Sequence, residues 1–130
     1  MENKKTILVV EVVEDEAPLR NALVEKLSRE GFEVLSAKNG EEGLQTALSN
    51  HPHLILLDII MPKMNGLEML EKLRADAWGK TAHVIMLTNL NDNEKVAEAM
   101  HGYAFDYFVK SDIKIQEVVD KIKEKLLHKA

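Results

Sequence analysis

The chain has 130 residues, a formal net charge of −5 and a hydrophobic content of 45%, which is typical of one soluble globular domain. The acidic balance argues against nonspecific nucleic-acid binding, because such binding needs a basic face. The chain contains no cysteine, which excludes disulfides and thiolate zinc sites and fits the cytoplasm. No apolar stretch approaches the ~20 residues of a membrane-spanning helix, and the first residues lack the apolar core of a signal peptide. We expect a single cytoplasmic domain over residues 1–130, with its core from about residue 6 to residue 128, that contacts neither nucleic acid nor membrane.

Apolar runs alternate with amphipathic helical patterns along the whole chain. The predicted strands cover residues 7–13, 32–37, 54–58, 84–88 and 105–109. The predicted helices begin near Pro18, Gly40, Leu67, Asp92 and Asp112, and the third of them ends near Trp78–Gly79. Strict alternation of strand and helix predicts a parallel sheet with right-handed crossovers and helices on both faces. We therefore expect an α/β fold, a doubly wound five-stranded sheet in the flavodoxin-like order 2-1-3-4-5 with five helices.

Polar side chains close four of the predicted strands. Glu14 and Asp15 follow the first strand, Asp58 ends the third, Thr88 ends the fourth and Lys110 follows the fifth. Open α/β sheets bind ligands at the carboxyl ends of their strands, and in this order the first and third strands are neighbours. The sequence therefore predicts that the three carboxylates share one crevice.

Three clustered carboxylates need a counter-ion. At separations near 5 Å and an effective dielectric of about 20, each like-charge pair costs on the order of 3 kcal/mol. Hard oxygen ligands without histidine or cysteine favour Mg²⁺ or Mn²⁺. An aspartate beside such an ion can attack phosphorus and become an acyl phosphate. The Lys110 ammonium and the Thr88 hydroxyl can then bind the phosphoryl oxygens, so the chemistry indicated is phosphoryl transfer onto Asp58.

The joint pattern of these residues resembles the receiver domain of response regulators, the CheY-like phosphoacceptor of two-component signalling. The residues that carry the resemblance are Glu14-Asp15, Asp58, Met61-Pro62, Gly66, Thr88, Tyr107 and Lys110. The resemblance covers nearly the whole chain and implies that Asp58 receives phosphate from a sensor histidine kinase or a histidine phosphotransfer protein. It implies a signalling domain rather than an enzyme, one that assists its own phosphorylation and dephosphorylation.

The resemblance also implies roles for individual residues. Asp15 and Asp58 would bind Mg²⁺ (or Mn²⁺) directly together with the backbone carbonyl of Ile60, whereas Glu14 would act largely through water. Thr88 and Tyr107 would form a switch pair, in which the tyrosine ring turns inward after phosphorylation. A downstream target protein would read the face made by the fourth helix, the fifth strand and the fifth helix, roughly residues 92–101 and 105–125. The domain would be a monomer or a phosphorylation-induced dimer.

Several positions depart from the family pattern. Ser111 follows Lys110 where the family usually has proline, and a cis bond to serine would cost about 3 kcal/mol. We therefore expect a trans Lys110–Ser111 bond, with Ser111 or Asp112 capping the last helix. Asn89 stands where a small residue is usual, which would narrow the path to the phosphoryl group. Ile60 and Leu90 are apolar and cannot hydrogen-bond an attacking water, so we predict a long-lived acyl phosphate.

The first strand contains a tandem repeat, Val9-Val10-Glu11 followed by Val12-Val13-Glu14. If Glu14 and Asp15 are the acidic pair of the crevice, Glu11 lies in the middle of the strand, where an unpaired carboxylate would cost several kcal/mol or stay protonated. If Glu11 lies at the crevice instead, Val12 and Val13 must enter a loop, which leaves apolar side chains unburied. We favour Glu14–Asp15, because Pro18 and the first helix follow at an ordinary loop length.

Two other classes of function remain open. A phosphatase or phosphotransferase of the haloacid-dehalogenase type also uses a strand-end aspartate, but it needs a second aspartate where this chain has Ile60. The other class is a receiver-like interaction module that is not phosphorylated, because the repeated triplet disrupts the acidic pocket. Our interpretation is a free-standing receiver domain without an output domain in this chain, acting as a phosphorylation-gated switch or a phosphorelay intermediate.

Overall fold

The computed structural model describes residues 7–88, 106–110 and 114–127, with the backbone alone at 88 and 106. Its strands form one parallel sheet in the order β2-β1-β3-β4-β5, which confirms the predicted order. The strands are β1 (Val9–Val13), β2 (Glu33–Ala37), β3 (Leu54–Asp58), β4 (Val84–Thr88) and β5 (Asp106–Val109).

Four α-helices lie in the described part of the chain. They are α1 (Ala17–Arg29), α2 (Gly40–Asn50), α3 (Gly66–Arg74) and α4 (Ile115–Leu127). The helix predicted to begin near Asp92 falls outside the described residues, so α4 is the last of the five predicted helices. None of the described helices combines the length and the apolar character needed to cross a membrane.

The third helix is shorter than the sequence predicts. It ends at Arg74, not near Trp78–Gly79, because side chains capture the next backbone groups. The Asp76 carboxylate accepts hydrogen bonds from the backbone N–H groups of Trp78 and Gly79, both at 2.9 Å. Short acidic side chains of this kind compete with helical hydrogen bonds. A 3-10 turn, Gly79–Thr81, then leads into β4.

The sheet separates two apolar layers. One layer contains Val13, Ile55 and Leu57 and is covered by α2 and α3, and the other contains Val12, Leu54 and Leu56 and is covered by α1 and α4. Strand β3 is buried along its whole length, because a central parallel strand is covered on both faces. Each fully buried aliphatic side chain contributes about 1.5–3 kcal/mol, so this core holds the carboxyl ends of β1 and β3 in place.

The connection from β3 to α3 is tight and leaves no room for a side chain at Gly66. The Gly66 N–H donates to the carbonyl of Ile59 at 2.7 Å, and a Cβ on Gly66 would lie 2.2 Å from the carbonyl oxygen of Asp58. Asn65 and Glu68 then close a capping box at the start of α3, which satisfies two otherwise unpaired N–H groups. This close turn fixes the backbone that carries Asp58.

Candidate functional site

The carboxyl ends of β1 and β3 bring three acidic side chains together. Val13 is the register partner of Leu57. The residues that follow them, Glu14 and Asp58, therefore reach the same edge of the sheet. One carboxylate oxygen from each of Glu14, Asp15 and Asp58 lies within 4.8 Å of the other two. Glu14 is 0% exposed and Asp58 is 1% exposed. The predicted shared crevice is therefore present, and Glu14–Asp15, not Glu11, supplies its acids.

The Lys110 ammonium enters this cluster from the end of β5. Its Nζ lies 3.1 Å from Asp58 Oδ2 and 3.2 Å from Glu14 Oε2. A third carboxylate, Glu16 Oε1, lies 2.6 Å away. Burial would lower the pKa of Lys110, but the hydrogen bond to Glu16 and the charges of Asp58 and Glu14 raise it well above its usual range. The lysine therefore remains charged beside Asp58.

The two oxygens of Glu14 have different surroundings. Oε2 accepts hydrogen bonds from the backbone N–H of Glu16 at 2.9 Å and from Lys110. Oε1 is buried and has no hydrogen-bond partner among the described residues. Burial raises the pKa of Glu14, and the Glu16 N–H and Lys110 oppose that shift. The unpaired oxygen indicates that the site is built for a further ligand, such as a metal ion or a metal-bound water.

Asp58 is held between opposing influences. Burial raises the pKa of its carboxyl group, and the charge of Glu14 raises it further, whereas Lys110 lowers it. A bound cation would act in the same direction as Lys110, because an adjacent positive charge favours the ionised form. Both the lysine and a cation therefore favour the carboxylate that can act as a nucleophile.

The donor set fits a hard divalent cation. The group able to hold an ion consists of carboxylate oxygens from two buried residues and the exposed Asp15. Oxygen ligands of this kind suit Mg²⁺ or Mn²⁺ better than zinc. The unpaired Glu14 Oε1 supports the same conclusion.

A comparison with protein families agrees with this geometry. The family model described as "Response regulator receiver domain" matches residues 10–123. The chain is a response regulator receiver domain.

Curated relatives of this receiver domain are longer proteins. It is 41% identical over 111 residues to "Probable transcriptional regulator ycf27" of Cyanophora paradoxa, covering 83% of this chain and 43% of that protein. It is 37% identical over 112 residues to "Transcriptional regulatory protein SrrA" of Staphylococcus aureus, covering 86% of this chain and 45% of that protein. The receiver domain thus spans less than half the length of the curated relatives it matches.

A solved structure of a chemotaxis protein has the same fold as the receiver domain. It is CheY4 of Vibrio cholerae, which matches with a TM-score of 0.85 and 26% sequence identity, over 93% of this chain and 100% of that chain. This likeness confirms the CheY-like architecture predicted from the alternation of strands and helices.

The other predicted residues of the receiver domain are placed only in part. Thr88 ends β4, one position beyond Leu87, the register partner of Asp58, so its backbone reaches the acidic edge. The Tyr107 side chain on β5 is 42% exposed, and the Ile60 side chain is 44% exposed. The remaining predictions lie outside the described residues: Asn89, Leu90, the helix over 92–101, Phe105, Asp112 and the Lys110–Ser111 bond.

Glu11 lies in the middle of β1, as the favoured interpretation of the repeat expects. It is 0% exposed, and neither carboxylate oxygen has a hydrogen-bond partner among the described residues. Its register partners are Leu35 and Ile55, both apolar. Burial raises the pKa of Glu11 from 4.5 to about 8, so the group is mostly protonated at neutral pH.

Two residues of the site were missed from the sequence. Glu16 pairs with Lys110, and the Arg20 guanidinium on α1 donates to the carbonyl oxygens of Glu14 at 2.8 Å and Asp15 at 3.3 Å. Arg20 thereby ties the loop that carries both acids to the first turns of α1. Its signal in the sequence was a basic residue one helical turn beyond Glu16, the residue before α1.

Proposed function

We propose that Asp58 accepts a phosphoryl group from a sensor histidine kinase or a histidine phosphotransfer protein. The observation that supports this most directly is the contact between Asp58 Oδ2 and the Lys110 ammonium at 3.1 Å, inside a cluster that can hold a cation. A nucleophile beside a fixed positive charge is the arrangement that phosphoryl transfer needs.

The metal belongs to the same proposal. Asp15 and Asp58 would hold Mg²⁺ (or Mn²⁺) together with the carbonyl of Ile60, and Glu14 would act through water, as the family pattern implies. When bound, the ion supplies positive charge that stabilises the phosphoryl oxygens. The three acidic side chains would hold the ion, and the N–H of Glu16 keeps one Glu14 oxygen in place.

The reaction uses groups of this chain at three points. An Asp58 oxygen attacks phosphorus, the phosphorus–nitrogen bond of the donor phosphohistidine breaks, and the donor imidazole keeps the electron pair. Lys110 donates a hydrogen bond to a phosphoryl oxygen, because its Nζ already lies within reach of Asp58. The Thr88 hydroxyl binds another oxygen, a role carried over from the family pattern at the end of β4.

Phosphorylation changes the conformation of the face that a target protein binds. Thr88 moves toward the phosphoryl group, and Tyr107, which is 42% exposed in the present structure, turns inward. A target protein then reads the face of the predicted helix over 92–101, β5 and α4, either on a monomer or on a phosphorylation-induced dimer. The acyl phosphate is long-lived, because the apolar Ile60 and Leu90 cannot hydrogen-bond an attacking water. The domain meets its phosphate donor and its target protein in the cytoplasm.

The names of the relatives limit the expectation that the protein does not contact nucleic acid. They describe transcriptional regulators that are about twice as long as the matched segment. The expectation of no nucleic-acid contact therefore concerns the receiver domain alone. The alternative of an unphosphorylated module presupposes a disrupted pocket, whereas in the described register the three carboxylates lie close enough to share one ion.

Incubation with acetyl phosphate and Mg²⁺, followed by intact-mass measurement, tests the proposal. We expect an adduct of one phosphoryl group on the parent chain, none on Asp58→Asn, and none when a chelator removes Mg²⁺. Asp120→Asn is a matched control, because Asp120 is an exposed aspartate on α4. A folded parent chain without an adduct, or an adduct that persists in Asp58→Asn, would show that the proposal is wrong.

A further inference from the structure

The centre of β1 contains a group that the proposed reaction does not use. Glu11 is fully buried, and both of its carboxylate oxygens lack partners among the described residues. Ile7, just before the same strand, is 61% exposed. The described register therefore buries an acid while it leaves an aliphatic side chain in water, which is the reverse of the usual preference.

The tandem triplet offers the strand a second register. If β1 moves by three residues toward its carboxyl end, Val9, Val10 and Glu11 take the places of Val12, Val13 and Glu14. The three side chains that arrive are identical to those that leave. A slip of one or two residues would not have this property, because it would place a glutamate at a different buried position.

The same slip changes the residue type at the first three positions of the strand, and two of these changes favour the core. Leu8 takes the place of Glu11 and Ile7 takes the place of Val10, so no acid remains inside the strand, whereas Thr6 takes the place of the half-buried Val9. Val12, Val13 and Glu14 join the loop before α1, where a longer loop costs little conformational entropy. The two valines, fully buried in the described register, then leave the core, which offsets the burial of Ile7 and Leu8. The net gain of the slip is therefore the removal of the Glu11 carboxyl group from the middle of the strand. The acid at the strand end is kept, since Glu11 replaces Glu14.

The slip also removes a ligand. In the displaced register Val12 takes the place of Asp15, directly after the strand-end acid. The cluster of three carboxylates that lie within 4.8 Å of one another then loses one of its members at that position. A divalent cation that binds the cluster therefore binds the described register better than the displaced one, and it shifts the population accordingly.

We propose that β1 exchanges between the described register and one displaced by three residues, and that divalent-cation binding selects the described register. The repeat thus couples the ligand set of the acidic site to the packing of the central strand. The cation dependence rests on the site described under the proposed function, whereas the exchange itself rests on the repeat, on Glu11 and on Ile7.

Engineered disulfides distinguish the two registers, because the chain has no cysteine of its own. Val12 is the register partner of Ser36 in the described register, and Val9 takes that place after the slip. Paired residues in adjacent strands lie about 4.8 Å apart, within disulfide range, whereas a three-residue offset separates them by about 10 Å. The two test chains are Val12→Cys with Ser36→Cys and Val9→Cys with Ser36→Cys.

Both test chains are expected to form an intramolecular disulfide under mild oxidation without Mg²⁺. At a Mg²⁺ concentration of about ten times its Kd, the rate for the Val9/Ser36 pair should fall about tenfold, while the rate for the Val12/Ser36 pair should not fall. The matched control is Val12→Cys with Glu33→Cys, which has the same offset in the opposite direction. If the Val9/Ser36 pair reacts no faster than this control, the second register does not exist.

Two further readouts separate the possible failures. If the Val9/Ser36 pair reacts quickly but Mg²⁺ does not slow it although calorimetry shows Mg²⁺ binding, the cation does not select a register and the proposal is overturned. If calorimetry shows no Mg²⁺ binding, the failure lies in the proposed metal site, and the rates without Mg²⁺ still decide the exchange.

Hydrogen exchange on the unmodified chain avoids any effect of the cysteines on folding. We expect the β1 amides to exchange faster than those of β3 without Mg²⁺, and the difference to disappear in a chain that lacks residues 9–11. That deletion yields the same sequence as deletion of 12–14, so it has one register. Equal protection of β1 and β3 in the unmodified chain contradicts the proposal.

Discussion

The two triplets of β1 contain the same three residue types and differ in what surrounds their glutamates. Glu11 lies between apolar register partners, and both of its oxygens are unpaired among the described residues. Glu14 lies three residues further along, equally buried, but it receives a backbone N–H and the Lys110 ammonium. Position relative to the strand end therefore decides whether a buried carboxyl group is left unpaired or receives hydrogen bonds.

This difference follows from how a parallel sheet arranges its polar groups. In the middle of a central strand the backbone N–H groups are used by neighbouring strands, so a side chain there finds no donor. At the carboxyl end the backbone leaves the sheet, and the loop N–H of Glu16 becomes available to Glu14. The end of β5 also lies at that edge and supplies Lys110. The same residue type can thus be unpaired at one position and hydrogen-bonded within an acidic cluster at the other.

The largest expected effect is a dependence of folding stability on pH that comes from Glu11. Its pKa is about 8 in the folded chain and 4.5 as the ordinary value, so the folded state keeps a proton that the unfolded chain releases between these values. The free energy of unfolding should therefore fall as pH rises through this interval, by about 5 kcal/mol in total relative to Glu11→Gln. Urea unfolding of both chains from pH 4.5 to 8.5 measures the difference.

The isosteric variant is the appropriate reference for this prediction. Glu11→Gln keeps the shape and the buried polar atoms but cannot titrate, so the contributions of Asp58 and Glu14 cancel in the comparison. Parallel stability curves for the two chains would show that Glu11 is ionised or solvated in the folded state, and the contrast between the two triplets would disappear.

Much of this arrangement could be predicted from the sequence, because it follows from periodicity. The strand order, the edge shared by Asp15 and Asp58, and the mid-strand position of Glu11 are set by apolar runs and by the rules for parallel sheets. The predicted end of α3 was wrong. The Asp76 carboxylate accepts hydrogen bonds from two backbone N–H groups and so competes with the helical hydrogen bonds, which the periodicity of apolar residues does not show. Glu16 and Arg20 were missed for a related reason: their roles depend on loop geometry, not on spacing along an element.

Replacing Glu11 by valine tests the energetic cost of the first triplet directly. At pH 7 the cost of keeping this carboxyl group protonated is about 3 kcal/mol, and valine removes it while it suits a buried strand. We expect Glu11→Val to raise the free energy of unfolding by about that amount in urea titrations at pH 7. A much smaller gain, with phosphorylation by acetyl phosphate intact, would indicate that the parent chain already avoids the cost through the displaced register.

Replacing the glutamate of the second triplet should weaken Mg²⁺ binding, whereas replacing the glutamate of the first should not. Glu14→Gln removes a carboxylate that contacts Lys110 and that would hold a metal-bound water in the proposed site, so we expect Mg²⁺ affinity to fall about 10- to 100-fold, as is usual for groups that support metal ligands. Calorimetric titration with Mg²⁺ measures this, and Glu11→Gln is the matched control with the same chemical change. Equal losses in the two variants would mean that the position in the strand does not separate the two roles.

The smallest expected effect concerns the exposed partner of Lys110. Glu16 lies 2.6 Å from the ammonium and is 61% exposed at the side chain, so its ion pair is screened by solvent and is worth at most about 1 kcal/mol. Glu16 nevertheless occupies a hydrogen of Lys110 that would bind a phosphoryl oxygen in the proposed reaction. We therefore expect Glu16→Gln to accelerate phosphorylation of Asp58 by acetyl phosphate at saturating Mg²⁺, by no more than about fivefold.

Glu25→Gln is the control, because Glu25 is similarly exposed at 67% and pairs with Arg29 on α1. If phosphorylation slows instead, Glu16 does not compete for Lys110 but positions it. The contrast between the two triplets would then include Glu16, because the carboxylate of Glu14 shares Lys110 with that of Glu16, whereas Glu11 has no such neighbour among the described residues.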